Sequence, residues 1–389
     1  MMNLNLRSIC KRSVVLLACA FAFSQASFAE TAEPIKIGAL LPFSGGCELY
    51  GEQAKLGVEL AVREINAGGG ILGRPLQVIY EDTKTRPDPA KAAARKLVEK
   101  DGVLTIIGPF TSQNLEAVTP VLEELKTPLL YGTNYEGRKP SRYMFGLSTV
   151  PNQELSELIP YMSKSFGKSF YLLGADRIWP HKMFDAAEPF IAKAGAKVVK
   201  KEYTLGNEDD FTPLIKRILT SKAKVLVFAM KGDGLEKLIA QASENNMFKK
   251  VKLAYIGLSE TDLAIFHGKG ENMYVAVPFV ATSKDPKIKD FVAKVKAMGG
   301  GDTVVSNFVF THYNAVRAIK TALEKAGKVD KEALIDTLEG LEVESPTGPI
   351  TIGKKHHHTT MNMFIARTAG DQLNVVKQLG QVAPELGEQ

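Results

Sequence analysis

The first βα unit of the chain begins with the apolar run Ile35-Lys36-Ile37-Gly38-Ala39-Leu40-Leu41, and the turn Pro42-Phe43-Ser44-Gly45-Gly46 follows it. A short apolar run that ends at a glycine turn is typical of a buried strand. Residues 51–65 then predict an amphipathic helix, because apolar side chains recur there at helical spacing and share one face. These side chains are Ala54, Val58, Ala61 and Ile65.

The same alternation of apolar runs and amphipathic stretches continues along the chain. Further strands are predicted at 76–80, 104–107, 127–131, 169–173, 196–203, 224–230 and 252–257. Further helices are predicted at 88–99, 113–124, 153–165, 180–194, 211–220, 235–244 and 307–326. Repeated βα units favour an α/β fold whose parallel sheets are covered by helices on both faces. The tail 360–377 instead alternates like a β-hairpin around Gly370-Asp371.

The number of βα units exceeds what one ordinary sheet holds, which predicts two doubly wound α/β lobes. Three short segments, 146–151, 274–278 and 347–351, are the expected connections between the lobes. The predicted boundaries are 30–148 with 279–345 for lobe 1, and 149–278 with 346–389 for lobe 2.

The N-terminus has the pattern of a secretory signal peptide at residues 1–29. Basic residues precede an apolar run at 13–23, and the small-x-small site Ser27-Phe28-Ala29 precedes Glu30. This pattern predicts export to the periplasm and a mature chain that starts at Glu30. A lipoprotein anchored at Cys19 is the alternative, because Leu16-Leu17-Ala18-Cys19 resembles a lipoprotein box.

Composition excludes several classes of partner. The formal net charge is +6, and no stretch after residue 29 concentrates basic residues into a stripe, so nucleic acid is not an expected partner. Of the three cysteines only Cys47 follows the predicted cleavage site, which leaves no intramolecular disulfide. No Cys-His-Asn signature surrounds Cys47, and a loop thiol is favoured over a nucleophile.

Two motifs that could indicate a cofactor or a metal are interpreted as structural. Residues 68–73 match G-x-G-x-x-G, but they follow a predicted helix and lead into a strand, which is the wrong context for a dinucleotide. His356-His357-His358 lacks a cluster of further ligands and is predicted to be a surface turn. His181 and His312 stand alone, and His312 is expected to pack within its helix. The sequence therefore predicts no cofactor, no metal and no catalytic group.

Polar and aromatic residues cluster where predicted strands lead into helices. These junctions are 42–46, 108–112, 131–137, 174–180 and 259–262. In open α/β sheets ligands bind outside the carboxyl ends of the strands, where helix N-termini present free N–H donors. Ordinary helix capping, for which Ser112 and Ser259 are suited, is the alternative for any single residue.

These junctions resemble those of the Leu/Ile/Val-binding protein family of periplasmic receptors. The residues that carry the resemblance are Ile35-Lys36-Ile37-Gly38, Ser44-Gly45, Tyr50-Gly51, Glu64-Ile65-Asn66-Ala67-Gly68-Gly69 and Ile107-Gly108-Pro109 with Ser112. Within the family the chain looks closest to the short-chain amide and urea receptors. That likeness rests on Tyr135-Glu136-Gly137, Pro151-Asn152-Gln153, the segment 174–180 and Pro346-Thr347-Gly348-Pro349.

The resemblance implies two lobes joined by three hinge strands, with the ligand in the cleft between them. It implies that Ser112 and Thr133 bind the polar head of the ligand, with Phe110 at the same junction. Arg177 and Trp179 fall where the amide receptors place aromatic residues, and Arg177 departs from that pattern in favour of a charged ligand. Glu260 falls near the position where amino-acid receptors hold an ammonium group.

The predicted function is therefore capture of a small polar solute for the membrane permease of an ABC importer. The solute is an amino acid, an amide, a urea-like compound or a carboxylate, and an amino acid is favoured. A sensor of the same fold that feeds a signalling partner is one alternative, and an exported enzyme is another. Hinge closure around the ligand is the expected mechanism.

Overall fold

The structure, a computed structural model, describes residues 32–137 and 141–386. The predicted signal peptide, its cleavage site after Ala29 and the alternative lipid site at Cys19 lie outside the described residues. From Pro34 onward the chain forms one compact unit.

The first sheet contains five parallel strands. They are β1 (Ile35–Leu41), β2 (Leu76–Asp82), β3 (Ile106–Ile107), β4 (Leu129–Tyr131) and β5 (Met144–Gly146). Their order in the sheet is β2-β1-β3-β4-β5. The chain thus turns to one side of β1 and then to the other, so the carboxyl ends of β1 and β3 flank a topological switch point.

The second sheet contains nine strands. They are β6 (Ser169–Ala175), β7 (Lys197–Thr204), β8 (Val225–Ala229), β9 (Lys252–Tyr255), β10 (Met273–Val277), β11 (Glu342–Val343), β12 (Ile350–Ile352), β13 (Thr359–Ala369) and β14 (Gln372–Val382). The order is β11-β12-β13-β10-β9-β8-β6-β7, with β14 paired to β13. Strands β6 to β10 are parallel, and their switch point lies between β6 and β8. The antiparallel β13–β14 pair confirms the predicted C-terminal hairpin.

Helices join these strands. They are α1 (Glu48–Ala67), α2 (Pro87–Glu99), α3 (Ser112–Glu124), α4 (Pro151–Leu155), α5 (Leu158–Phe166), α6 (Ile178–Lys193), α7 (Thr212–Thr220), α8 (Leu235–Glu244), α9 (Met247–Lys250), α10 (Glu260–Phe266), α11 (Pro286–Gly299), α12 (Asn307–Ala326) and α13 (Lys331–Leu338). The single helix predicted at 153–165 is wrong, because α4 and α5 replace it. Pro160 has no N–H to donate to the carbonyl of Ser156, so the first helix stops and a second begins. Among the described residues no helix is both long and apolar enough to cross a bilayer.

The chain passes between the two sheets three times, after β5, after β10 and before β11. The second passage returns it to the first sheet, where α12 packs on α1. The two helices approach closely at Gly57, where an added Cβ would lie 2.2 Å from the carbonyl oxygen of Val309. The predicted α/β fold with two doubly wound sheets is therefore confirmed. The residue boundaries of the two lobes stay a prediction.

The surface turn predicted for the three adjacent histidines is wrong for two of them. His357 and His358 are only 5% and 1% exposed. The backbone N–H of Gly146, in β5, donates to the carbonyl of His357 at 2.8 Å, and this pairing pulls the segment into the protein. The His357 ring stacks on Phe145 with the ring centroids 4.3 Å apart. Among the described residues no group of three or more potential ligands could hold a metal ion.

Candidate functional site

One pocket is lined by loops from both sheets. The first sheet contributes loops that follow β1, β3 and β4, and the second sheet contributes loops that follow β6 and β8. The pocket therefore lies where both switch points meet, which is where α/β sheets bind ligands. The pocket is a cleft that is partly open to solvent. Five of the predicted site residues line it: Phe110, Ser112, Thr133, Arg177 and Trp179.

On the first-sheet side, the wall is built around the start of α3. Thr111 is the N-cap, because its hydroxyl accepts from the backbone N–H of Asn114 at 3.2 Å, so the capping role considered for Ser112 is wrong. Ser112 is the first helical residue, and its hydroxyl donates to Oε2 of Glu136 at 2.7 Å. The buried Thr133 Oγ1 has no hydrogen-bond partner within the described parts of the chain.

On the second-sheet side, Arg177 is the N-cap residue of α6 and is exposed. Asp176 pairs with His181, at 2.8 Å between the carboxylate and Nε2, rather than with Arg177. The guanidinium of Arg177 makes no ion pair with any residue in 32–137 or 141–386. The Trp179 ring is half-buried, and its Nε1 donor is buried without a partner among these residues.

A buried ion pair that the sequence analysis missed adjoins the pocket. Lys231 follows β8 and lines the pocket, and its Nζ contacts Oδ2 of Asp262 in α10. The hydroxyl of Tyr50, in α1, donates to Oδ1 of the same carboxylate at 2.7 Å. The lysine side chain is 10% exposed and the aspartate side chain is fully buried. Burial lowers the pKa of Lys231, while the charge of Asp262 opposes that shift.

Aromatic rings complete the surroundings of this lysine. Its Nζ lies 5.1 Å from the ring centroid of Tyr50, 5.6 Å from that of Tyr255 and 5.7 Å from that of Phe308. Ring faces carry negative potential, so each of these contacts favours the ammonium. The sequence does contain a signal for this lysine, because Lys231 and Asp233 follow the predicted strand 224–230. In the structure Asp233 also lines the pocket.

Glu260, the sixth predicted site residue, lies outside the pocket lining. Its Oε1 accepts from the backbone N–H of Ala281 at 3.0 Å, while Oε2 has no partner among the described residues. Burial raises the pKa of this carboxyl to about 7. Glu260, in the first turn of α10, is thus held by the backbone of Ala281. Its ammonium-binding role stays a prediction.

Cys47 lies in the wall of the pocket, a position that the sequence analysis did not foresee. It is 8% exposed and precedes α1 as the N-cap residue. Burial raises the pKa of its thiol to about 11, so the group stays neutral at physiological pH. A neutral thiol is a poor nucleophile, which favours the structural interpretation.

A pocket lined from two doubly wound sheets by the loops at both switch points is typical of a site for a small ligand. The family model described as periplasmic binding protein matches residues 34–372, and the chain belongs to this family. It is a solute-binding protein of this periplasmic family, which consists of binding proteins rather than enzymes. The resemblance to the Leu/Ile/Val-binding proteins is confirmed. The closer likeness to amide and urea receptors stays a prediction.

Three known proteins illustrate what this chain is similar to. The leucine-, isoleucine-, valine-, threonine- and alanine-binding protein of Pseudomonas aeruginosa is 25% identical over 85% of this chain and 88% of its own. A solute-binding protein from R. palustris in complex with benzoate has a TM-score of 0.82 at 19% identity, covering 91% of this chain and 98% of that one. A branched-chain amino acid transporter substrate-binding protein from Streptococcus pneumoniae, in complex with isoleucine, has a TM-score of 0.79 at 21% identity, covering 90% and 100%.

Proposed function

We propose that this protein captures a small carboxylate in the periplasm and delivers it to the membrane permease of an ABC importer. The family membership and the ABC transporter proteins among its structural relatives support the partner. The sequence pattern at residues 1–29 supports export through a cleaved signal peptide. Relatives named for amino acids and a relative that holds benzoate share one feature of their ligands, the carboxylate.

The observation that carries the proposal is the donor-rich wall of the pocket. Trp179 Nε1 can only donate, and the Arg177 guanidinium presents a planar fork of donors that matches a carboxylate. Thr133 adds a hydroxyl from the opposite wall. A buried donor without a partner costs about 1–3 kcal/mol, and the acceptor oxygens of a carboxylate can pair with Trp179 Nε1 and with the Thr133 hydroxyl.

The helices that begin at the pocket act in the same direction. Thr111, Arg177 and Cys47 are the N-cap residues of α3, α6 and α1, and all three line the pocket. A helix N-terminus carries a partial positive charge and free N–H groups, and it therefore stabilises an anion placed nearby.

The test is calorimetry with matched acids and amides, using benzoate against benzamide and isoleucine against isoleucinamide. A thermal-shift screen of small carboxylates extends the set of probes. We expect the acid that binds to lose about 10- to 100-fold in affinity in Arg177→Ala, with a smaller loss in Arg177→Lys, which keeps the charge but not the fork. Arg217→Ala is the control, because that arginine is exposed and pairs with Glu202 away from the pocket. An amide that binds as tightly as its acid, or an unchanged affinity in Arg177→Ala, contradicts the proposal.

A further inference from the structure

We infer that Lys231 fills, from within the protein, the position that an ammonium group of the solute would otherwise occupy. The solute is then a carboxylate without an amino group next to it, such as an aromatic or branched aliphatic acid. This inference rests on the proposed function and narrows it, because a carboxylate receptor could equally take an α-amino acid.

The surroundings of the lysine Nζ have the composition of an ammonium site. One fully buried carboxylate, that of Asp262, contacts it, and three aromatic faces stand within 6 Å of it. A carboxylate with ring faces around it is the general way in which proteins hold an organic cation away from water. In this protein the cation that occupies the site is covalently part of the chain.

The carboxylate of Asp262 already takes four contacts from the protein. Its Oδ1 accepts from Tyr50, and its Oδ2 contacts Lys231. Oδ2 also accepts from the backbone N–H of Ser259 at 2.7 Å and from the Ser259 hydroxyl at 2.8 Å. An incoming ammonium group would have to displace the lysine and leave a buried charge unpaired, which is strongly unfavourable.

The rest of the pocket offers an ammonium group little. Among the residues that the structure describes in the lining, Asp233 is the one carboxylate, and it is exposed. It lies at the loop contact between the sheets, where a Cβ on Gly46 would be 2.7 Å from its Oδ2. Lys231 and Arg177 are both cations in the lining, and they repel an added ammonium while attracting a carboxylate.

The body of the solute meets an apolar part of the wall. Phe110, Ile178 and Trp179 line the pocket, and Phe110 stacks on Tyr50 with the ring centroids 4.9 Å apart. Flat or branched hydrocarbon fits such a wall, and burial of its apolar surface contributes affinity. A carboxylate head among donors and an apolar body against aromatic rings together define the class of solute.

The first experiment uses the wild-type protein and pairs of acids that differ only in the amino group. Calorimetry compares 4-methylpentanoate with leucine, and 3-phenylpropanoate with phenylalanine. We expect the acid without the amino group to bind at least 100-fold more tightly in the pair that fits the pocket. An amino acid that binds as tightly as its partner overturns the inference and leaves the proposed function intact. Benzamide and isoleucinamide, the amides of the previous test, serve as a further comparison, and tighter binding of an amide than of both kinds of acid overturns the proposed function itself.

The second experiment opens the cation position. Lys231→Ala frees the carboxylate of Asp262, and we expect the ratio of the two affinities to shift at least tenfold toward the amino acid. An unchanged ratio overturns the inference. Should this variant fail to fold, the surface variant Asp233→Asn gives an independent answer. A loss of affinity for leucine alone assigns the ammonium to Asp233 and overturns the inference, whereas a preserved preference for 4-methylpentanoate agrees with it.

Discussion

Replacing Tyr50 by phenylalanine removes one hydroxyl group from the buried cluster and changes nothing else in the shape of the side chain. That hydroxyl donates at 2.7 Å to Oδ1 of Asp262, and the carboxylate is fully buried. Water cannot replace the lost donor at a site without exposure. Hydrogen bonds to charged groups contribute about 1.5–3 kcal/mol, so we expect Tyr50→Phe to lower the free energy of unfolding by about that amount.

Urea unfolding, followed by far-UV circular dichroism and by the fluorescence of Trp179, measures this loss. The midpoint should fall while the slope of the transition stays the same, because the surface exposed on unfolding does not change. Tyr80→Phe is the matched control, since the Tyr80 hydroxyl is buried without a hydrogen-bond partner within 32–137 and 141–386. We expect the control to be neutral or slightly stabilising. Equal stability of the two variants would refute the energetic role of the Tyr50–Asp262 bond.

Two further predictions concern packing and pH. Gly57→Ala should destabilise the protein by about 1–3 kcal/mol or more, because the new Cβ meets a backbone carbonyl of α12. Gly301→Ala, which has no heavy atom within 4 Å of its Cβ position, should change the unfolding free energy by less than about 1 kcal/mol in the same urea assay. Burial raises the pKa of Glu260 from its ordinary 4.5 to about 7. As pH rises, this carboxyl therefore ionises in the unfolded chain before it ionises in the folded protein. The wild type loses stability between these two pKa values because ionisation favours the unfolded state there. Between pH 5 and pH 8 the free energy of unfolding of Glu260→Gln should fall by about 2–3 kcal/mol less than that of the wild type. Parallel pH profiles for the two proteins would contradict this.

The local part of the site was predictable from the sequence. The switch-point rule needs only the strand ends and the residues that follow them, and it brings Phe110, Ser112, Thr133, Arg177 and Trp179 to one pocket. Secondary structure followed equally local signals, as the match between predicted and observed α12 shows. These residues act through their position in a βα unit, which short-range patterns encode.

The contacts between distant segments could not be predicted in this way. Tyr50 and Asp262 are 212 residues apart, and nothing near either one indicates that a bond joins them. The burial of His357 depends on β5 accepting the segment as a neighbour, which no pattern around the histidines reveals. Glu260 was placed through a family resemblance, yet its side chain turns to the backbone N–H of Ala281. Each of these outcomes is decided by tertiary packing rather than by local preference.

The pairing of α1 with α12 also bears on when the protein can acquire its native structure. The ribosome completes α1 early, but the helix that covers it is synthesised only near the end of the chain. Contacts of such long sequence separation form slowly, because the intervening loop must be closed first. The pairing of α1 with α12 therefore cannot form until residues 307–326 have been synthesised. Until then the face of α1 that packs on α12 stays without its partner helix.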